Sequence, residues 1–63
     1  MNKEELLGFI KKEGKMKRSD IWFLCKSFYI GEELLEELYH EKKVKFITEG
    51  NVTYVIPISG EGK

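Results

Sequence analysis

The stretch GEELLEELYHEKK, residues 31–43, has the clearest periodicity in this chain. Apolar residues recur in it at helical spacing, so that Leu34, Leu35 and Leu38 fall on one side of an α-helix. The opposite side carries the polar residues Glu32, Glu33, Glu36, Glu37 and His40. This pattern predicts an amphipathic helix over residues 32–42, whose inner face packs on a core and whose outer face is acidic.

After this helix the pattern becomes extended. The segments VKFIT and VTYVI are rich in β-branched and aromatic residues, and Glu49-Gly50-Asn51 separates them, which predicts a β-hairpin. A two-residue loop would scatter the apolar side chains over both faces. A three-residue loop with Asn51 in the left-handed region gathers them on one face, and this is the loop that we expect. The residues gathered in that case are Val44, Phe46, Val52, Tyr54 and Ile56.

The beginning of the chain predicts a first helix over residues 3–13. Asn2 can cap it, and Glu5 stands at the position that completes a capping box. Gly14 can supply the left-handed residue at which many helices end. The next residues, KMKR, form a basic link in which Met16 points inward and which could add a short edge strand.

A second helix is expected to follow, with Ser19 as a better N-cap than the arginine before it. Its buried line is predicted to run through Ile21, Cys25 and Phe28. The same period turns Phe23 outward by about half a revolution. We therefore expect Phe23 to belong to an exposed apolar patch that is covered in the functional state.

The boundary between the second and third helices is left open by the sequence. We expect Tyr29-Ile30-Gly31 to form the turn, since glycine suits an N-cap or a tight bend. Ser27 could instead cap a third helix that begins earlier. In either case the leucines of the third helix supply the core. The expected contacts are those of Leu34 and Leu38 with Ile10, Ile21 and Phe46.

Size and charge restrict the possible classes of protein. The 63 residues suffice for one domain, expected at residues 1–57, with a flexible tail at 58–63. Eleven basic and eleven acidic residues balance, but residues 1–30 carry seven basic and four acidic side chains, and residues 31–63 carry four and seven. The halves therefore have net charges of +3 and −3. A single cysteine favours a reducing, cytoplasmic setting. Enrichment in Lys and Glu without Gln predicts a thermophilic, archaeal source.

Three helices followed by a hairpin resemble the winged helix-turn-helix superfamily. The resemblance covers residues 3–57 and is carried by LLGFIKKEGKMKRSDIWFLCKSFYIGEELLEELYHEKKVKF and EGNVTYVI. The glycine familiar at the exit of the third helix is absent, and Lys42 and Lys43 stand there. The resemblance implies an α+β fold, a three-helix bundle with a C-terminal β-hairpin wing. It also implies a DNA-associated module, a transcription regulator or accessory factor, although winged helices also dock proteins.

Double-stranded DNA is the first partner to consider. The outer face of the third helix offers none of the side chains that usually read bases, so contacts with the DNA backbone would have to suffice. The basic N-terminal half and the wing supply them around the start of the second helix, at the wing base and at the wing tip. The expected DNA-binding residues are Lys15, Lys17, Arg18, Ser19, Lys42, Lys43, Lys45 and Asn51.

The alternative is a protein-protein adaptor that does not bind DNA. It would dock through the acidic third helix or through the edge that carries Trp22 and Phe23, because aromatic residues are frequent at interface hot spots. The expected partner-binding residues are Trp22, Phe23, Glu33, Glu36 and Glu37. The occupant could be a second copy of the chain or another protein.

Enzymatic and metal-binding roles are not expected. One histidine and one cysteine cannot supply a four-ligand zinc site, and no phosphate-loop, dinucleotide or nucleophile-elbow spacing occurs. The carboxylates of the third helix would lie on a convex surface, where no pocket raises a pKa. No apolar run approaches the length of a membrane span. We therefore expect no cofactor, no metal and no membrane partner.

Overall fold

The computed structural model describes residues 1–58 and is of the α+β class. Three helices and three strands follow one another in the order α1, β1, α2, α3, β2 and β3. Their bounds are Lys3–Glu13, Met16–Lys17, Arg18–Cys25, Phe28–His40, Val44–Glu49 and Val52–Pro57. The strands form one antiparallel sheet in the order β1-β3-β2. Residues 59–63, most of the expected tail, lie outside the described residues, whereas the N–H of Ile58 donates to the carbonyl of Lys43 at 2.9 Å.

Helix α1 has the predicted bounds and both predicted ends. The Asn2 side chain accepts the N–H of Glu5 at 2.8 Å, and the Glu5 carboxylate accepts the N–H of Asn2 at 3.0 Å. Gly14 ends the helix with a φ of 81°, and its N–H donates to the carbonyl of Ile10. The basic link that follows does form a short edge strand. Met16 pairs with Val55 across it and packs against the core.

The predicted start of α2 is wrong. The helix begins at Arg18, with Lys17 as an N-cap residue that makes no side-chain capping bond, so Ser19 lies inside the first turn. Strand β1 explains the shift, because its pairing with β3 holds Lys17 in extended backbone and the helix starts directly after it. Phe23 points outward, as its helical phase predicted, with 88% of its surface exposed.

The turn expected at Tyr29-Ile30-Gly31 is also wrong, and the earlier start of the third helix is confirmed. Helix α3 begins at Phe28, and the Ser27 hydroxyl accepts the N–H of Ile30 at 3.2 Å. The direction of the chain changes instead at Lys26, which adopts a left-handed conformation with a φ of 57°. The helix ends at His40, two residues before the expected end.

Lys42 occupies the place of the missing helix-exit glycine. Its φ of 62° lies in the left-handed region that glycine commonly supplies at such an exit. The N–H of Lys43 donates to the carbonyl of Leu38 at 2.9 Å, which closes the end of α3 and leads into β2. The exit from α3 therefore has a lysine in the left-handed conformation.

The hairpin has a two-residue loop, so the expected three-residue loop is wrong. Glu49 pairs with Val52, and Gly50 alone in the loop has a positive φ, 64°, as in type II′ turns. Side chains alternate along each strand, and Val44, Phe46 and Val55 therefore face the core. The apolar residues on the opposite, outer face of the sheet are Ile47, Val52, Tyr54 and Ile56.

The core lies between the helices and the inner face of the sheet. Its fully buried side chains are Leu6, Ile10, Ile21, Leu35, Leu38, Val44 and Val55. Leu38 is buried as predicted, whereas Leu34 is half-buried and packs at the margin of this cluster. Phe28, expected on the buried line of α2, is half exposed because it starts α3 instead.

Candidate docking groove between α2, α3 and the hairpin tip

A groove of about 590 Å³ opens where the starts of α2 and α3 meet the tip of the hairpin. We call it the tip groove. Its lining consists of Lys17, Arg18, Ser19 and Trp22 from the α2 side, Phe28 and Glu32 from α3, and Asn51, Val52 and Thr53 from the hairpin. The fold thus brings together four of the expected DNA-binding residues and one expected partner-binding residue. The two aromatic residues of the lining, Trp22 and Phe28, both come from the helices.

Glu32 organises the helical wall of this groove. Its carboxylate accepts the Nε of Arg18 at 2.7 Å and a second, very short bond from the same guanidinium, so the ion pair is bidentate. The indole Nε1 of Trp22 donates to the same carboxylate at 2.6 Å. The guanidinium also lies 5.0 Å from the centre of the Phe46 ring. Arg18 therefore ties α2, α3 and the sheet together, and its charge is balanced within the chain.

The hydrogen bonds of this network alter the pKa values of both charged partners. The bond from Arg18 lowers the pKa of the Glu32 carboxyl, and the Trp22 bond lowers it further, while desolvation opposes both. The bond with Glu32 raises the pKa of the Arg18 guanidinium. Glu32 thus remains ionised at lower pH in the folded chain than in an unfolded one, and its ionised form stabilises the fold.

Replacing Glu32 with Gln is expected to destabilise the fold in a pH-dependent manner. Because the pKa of Glu32 is lowered on folding, its contribution is fully present above the unfolded-state pKa of about 4.3. This stabilising contribution is lost as the pH falls through the lower pKa that Glu32 has in the folded chain. In urea denaturation, the stability difference between wild type and Glu32→Gln should be constant from about pH 7 to about pH 5 and shrink below about pH 4. Glu33→Gln, at the exposed neighbour, is the control, and a Glu32→Gln difference that is independent of pH would contradict the ion pair.

Three aromatic rings continue from the groove onto the surface of α3. The Trp22 and Phe28 rings meet edge to face with 4.7 Å between their centres, and Phe28 meets Tyr29 at 5.7 Å. Phe28 is 52% exposed and Tyr29 is 82% exposed. We call these three residues the aromatic cluster. Burial of such rings against a partner is a large source of binding energy.

An acidic row follows Tyr29 along the outer face of α3. It consists of Glu33, Glu36 and Glu37, all exposed, and at helical spacing it lies on the side of α3 that carries Tyr29. The Nζ of Lys3 lies 3.5 Å from Oε1 of Glu37 and also forms an ion pair with the Glu41 carboxylate. This lysine pairs only with the far end of the row, and Glu33 and Glu36, beside the aromatic cluster, form no ion pair within residues 1–58.

The expected DNA-binding lysines do not converge on one surface. The Nζ of Lys15 lies 3.1 Å from the Glu49 carboxylate and 4.5 Å from the centre of the Tyr54 ring, so it is engaged across the outer face of the sheet. Lys42 and Lys43 lie at the base of the hairpin, about 16 Å from its tip at the usual rise of a strand. Lys45 projects from the outer face near that base. Of the basic residues in the expected set, only Lys17 and Arg18 line the tip groove.

The edge expected to combine Trp22 and Phe23 divides into two separate surfaces. Trp22 is half-buried and lines the tip groove, whereas Phe23 borders a second groove of about 500 Å³ between α1, β1 and α2. The apolar part of that second groove is formed by Phe9, Met16, Phe23, Leu24 and Tyr54. Helix α2 separates the two because adjacent residues on a helix lie about 100° apart.

The sequence did not predict Phe28 and Tyr29 as residues of the candidate site, nor did it predict the structural role of Glu32. Phe28 was assigned to the buried line of α2 and Tyr29 to a turn. The signal that could have found them is Ser27, whose capping of α3 rotates both residues onto the helix surface. Comparison of the chain with known protein families, with curated proteins and with solved structures found no match.

Within residues 1–58 no three histidine, cysteine, aspartate or glutamate side chains cluster as a metal site would require. None of the three helices described here has the length and apolar character needed to cross a membrane. Cys25 is a free, half-buried thiol, and burial raises its pKa. A raised pKa disfavours the reactive thiolate.

Proposed function

We propose that this chain is a winged-helix docking module that binds a basic, amphipathic segment of another protein. The observation that carries the proposal is the aromatic cluster, whose Phe28 and Tyr29 rings are exposed and lie directly beside the acidic row on α3. An apolar side chain of the partner would pack against Phe28 and Tyr29, while its lysines or arginines face Glu33 and Glu36. Aromatic anchors supply affinity in such interfaces, and charge complementarity supplies orientation and rate of association.

The winged-helix part of the proposal is supported by the order of the elements. Three helices precede the hairpin, a short strand lies between α1 and α2, and that strand pairs with the last strand of the sheet. In this arrangement α3 presents its outer face beside the hairpin. The three glutamates of the acidic row would have to approach phosphate if that face entered a DNA groove, which is electrostatically unfavourable. The same charges favour a basic protein partner.

Trp22 allows a direct test, because it is the only tryptophan and it borders the site. The probe is a synthetic helical peptide of about 14 residues without tryptophan, with leucines on one face and lysines flanking them. We expect a saturable change in Trp22 fluorescence. A peptide with glutamates in place of the lysines should bind at least about tenfold more weakly, since it repels the acidic row. Equal binding of both peptides, or no saturable change, would refute the proposal.

Matched variants assign the binding to the proposed surface. Tyr29→Ser removes the most exposed ring of the aromatic cluster and should weaken binding at least about tenfold. Phe9→Ser, at an exposed aromatic residue of α1, should leave the affinity unchanged. The double variant Glu33→Gln/Glu36→Gln should reduce the salt dependence of binding, whereas Glu4→Gln/Glu13→Gln should not. Equal effects in the test and control variants would place the peptide elsewhere.

A second candidate function, contact with the DNA backbone as a transcription regulator or accessory factor, is favoured by one observation. Lys17, Ser19 and Asn51 meet at the tip groove, between the start of α2 and the hairpin. Side chains of these types commonly hold phosphates. The candidate has less support, because Glu32 balances the charge of Arg18 and Glu49 that of Lys15.

Titration with a DNA duplex separates the two candidates in the same fluorescence assay. If the module docks proteins, the duplex should produce no saturable change near physiological salt. If the groove binds DNA, the affinity should fall steeply with salt. Each phosphate contact contributes about 0.9 to the slope of log affinity against log salt concentration. Lys17→Ala should then reduce that slope by about 0.9, while Lys26→Ala, at the exposed end of α2, should not.

A further inference from the structure

Strand β2 lies at an edge of the sheet and is six residues long. The two-residue loop makes Glu49 and Val52 a hydrogen-bonded pair, and the bond from Ile58 to Lys43 shows the same alternation at the hairpin base. The odd-numbered residues of β2 therefore bond to β3. The N–H and C=O groups of Val44, Phe46 and Thr48 point away from it. Among residues 1–58 nothing hydrogen-bonds to these outward groups.

The side chains along β2 are complementary in charge to those of a second, antiparallel copy of the same strand. On the outer face of the sheet β2 carries Lys45, Ile47 and Glu49 in alternate positions. If a second copy of β2 lies antiparallel to the first about a two-fold axis at Ile47, each Lys45 faces Glu49 of the other copy. Ile47 then faces its own counterpart. In this register Phe46 and Thr48 form the hydrogen-bonded pairs, which agrees with the direction of their free backbone groups.

From this register we propose that two copies of the chain pair antiparallel along β2 and form one continuous six-stranded sheet. We choose a second copy as the partner of this edge for two reasons. In the antiparallel register the charged side chains of the two β2 strands are complementary, and their outward N–H and C=O groups lie opposite one another. Glu49 can take part while bound to Lys15, since only its Oε1 is used at 3.1 Å and the side chain is exposed. The opposite edge, β1, has two residues and offers no comparable pairing.

The same association would also shield apolar side chains on the outer face of the sheet from water. Ile47 lies on that face at the proposed axis, Tyr54 of β3 lies directly opposite it, and Ile56 lies opposite Lys45. Pairing would place two such rows side by side and shield the two Ile47 side chains from water. One strand pair buries a limited area, so the association belongs to the weak class whose extent depends on concentration. It does not use the aromatic cluster or the acidic row and is independent of the proposed docking function.

Sedimentation equilibrium from about 10 μM to about 1 mM tests the proposal on the full chain. The wild type should change from one to two chains of 7.4 kDa over this range. Lys45→Glu and Glu49→Lys should each remain monomeric, because like charges then face each other across the axis. The double variant Lys45→Glu/Glu49→Lys should dimerise again. Lys17→Glu, on the same outer face but at the β1 edge, should dimerise as the wild type does.

Amide hydrogen exchange provides a second measurement that does not depend on charge. The N–H groups of Phe46 and Thr48 should become protected as the concentration rises, whereas the inward N–H of Ile47 should be protected throughout. Thr48→Pro removes one outward donor without removing a bond to β3, and it should abolish dimerisation while circular dichroism shows a retained fold. A wild type that is monomeric at about 1 mM, or a double variant without restored dimerisation, would overturn the proposal. Peptide binding measured through Trp22 should be unchanged in Lys45→Glu, which separates failure of this proposal from failure of the docking function.

Discussion

Truncation of Leu38 to Ala should lower the free energy of unfolding by roughly 2–5 kcal/mol, the usual range for a leucine in a packed core. Leu38 is fully buried in the cluster where the helices meet the sheet. The variant loses the transfer free energy of the removed methyl groups and leaves a cavity that the surrounding helices cannot close. In a domain of this size that loss is a large part of the total stability. Urea denaturation at neutral pH measures it.

Leu34→Ala is the matched control for this measurement. Leu34 lies one turn earlier on α3 but is half-buried at the margin of the core. The same atoms are removed from a site that is already partly in contact with water, so the loss should be clearly smaller than at Leu38. Equal losses at the two positions, or a loss below about 1 kcal/mol at Leu38, would show that α3 is rotated from the orientation described here.

Replacing Gly31 with Val is expected to destabilise the fold by about 1–3 kcal/mol, the usual cost of overpacking. Gly31 is buried within α3, where Trp22 of α2 packs against it. A Cβ at this position would lie 3.0 Å from Cδ1 and 3.2 Å from Cα of Trp22. The second of these atoms is backbone, so relief requires α2 to move away from α3. That movement would also disturb the hydrogen bond from Trp22 to Glu32.

Gly8→Val provides the control, because Gly8 also lies inside a helix but has open space around it. Valine has a higher helix propensity than glycine, so this variant should be neutral or slightly stabilising, by a few tenths of a kcal/mol. Thermal unfolding followed by circular dichroism compares the two. If Gly31→Val is tolerated as well as Gly8→Val, the close contact between α2 and α3 is absent in solution.

Some elements could be predicted from the sequence because their causes are local. The capping box of Asn2 and Glu5 and the glycine that ends α1 act within a few residues, and both ends of that helix were predicted correctly. The exposure of Phe23 and the burial of Leu38 follow from helical phase alone. The β-branched segments after α3 likewise identify both strands of the hairpin.

The starts of α2 and α3 could not be predicted, because neighbouring residues are similarly suited to begin each helix. Ser27 and Gly31 both suit the start of a helix, and the sequence could not decide between them. Packing decides, since α3 must begin at Phe28 for Gly31 to meet Trp22 at the crossing of α2 and α3. The same holds for Ser19, because the pairing of β1 with β3 sets where α2 begins.

The candidate site was predictable in its residue types and only partly in its arrangement. The acidic character of α3 follows from the sequence, as does the presence of lysines around the start of α2. Whether those charges remain available depends on contacts between residues distant in the chain. Arg18 binds Glu32, Lys15 binds Glu49, and Lys3 binds Glu37 and Glu41. These pairs occupy Arg18 and Lys15 within the chain, which is why the proposed docking function relies on the aromatic cluster and not on the basic residues.

By itself, the sequence determined the number of helices, the composition of the hairpin strands and the acidic outer face of α3, because periodicity and capping act over short distances. Only the tertiary structure decided the register of the hairpin, the partners of the charged side chains and the separation of Trp22 from Phe23. The expected loop placed Tyr54 and Ile56 on the inner face, whereas the two-residue loop turns them outward. A change of one residue in loop length moves every side chain of a strand to the other face, and packing of the whole domain selects between the two.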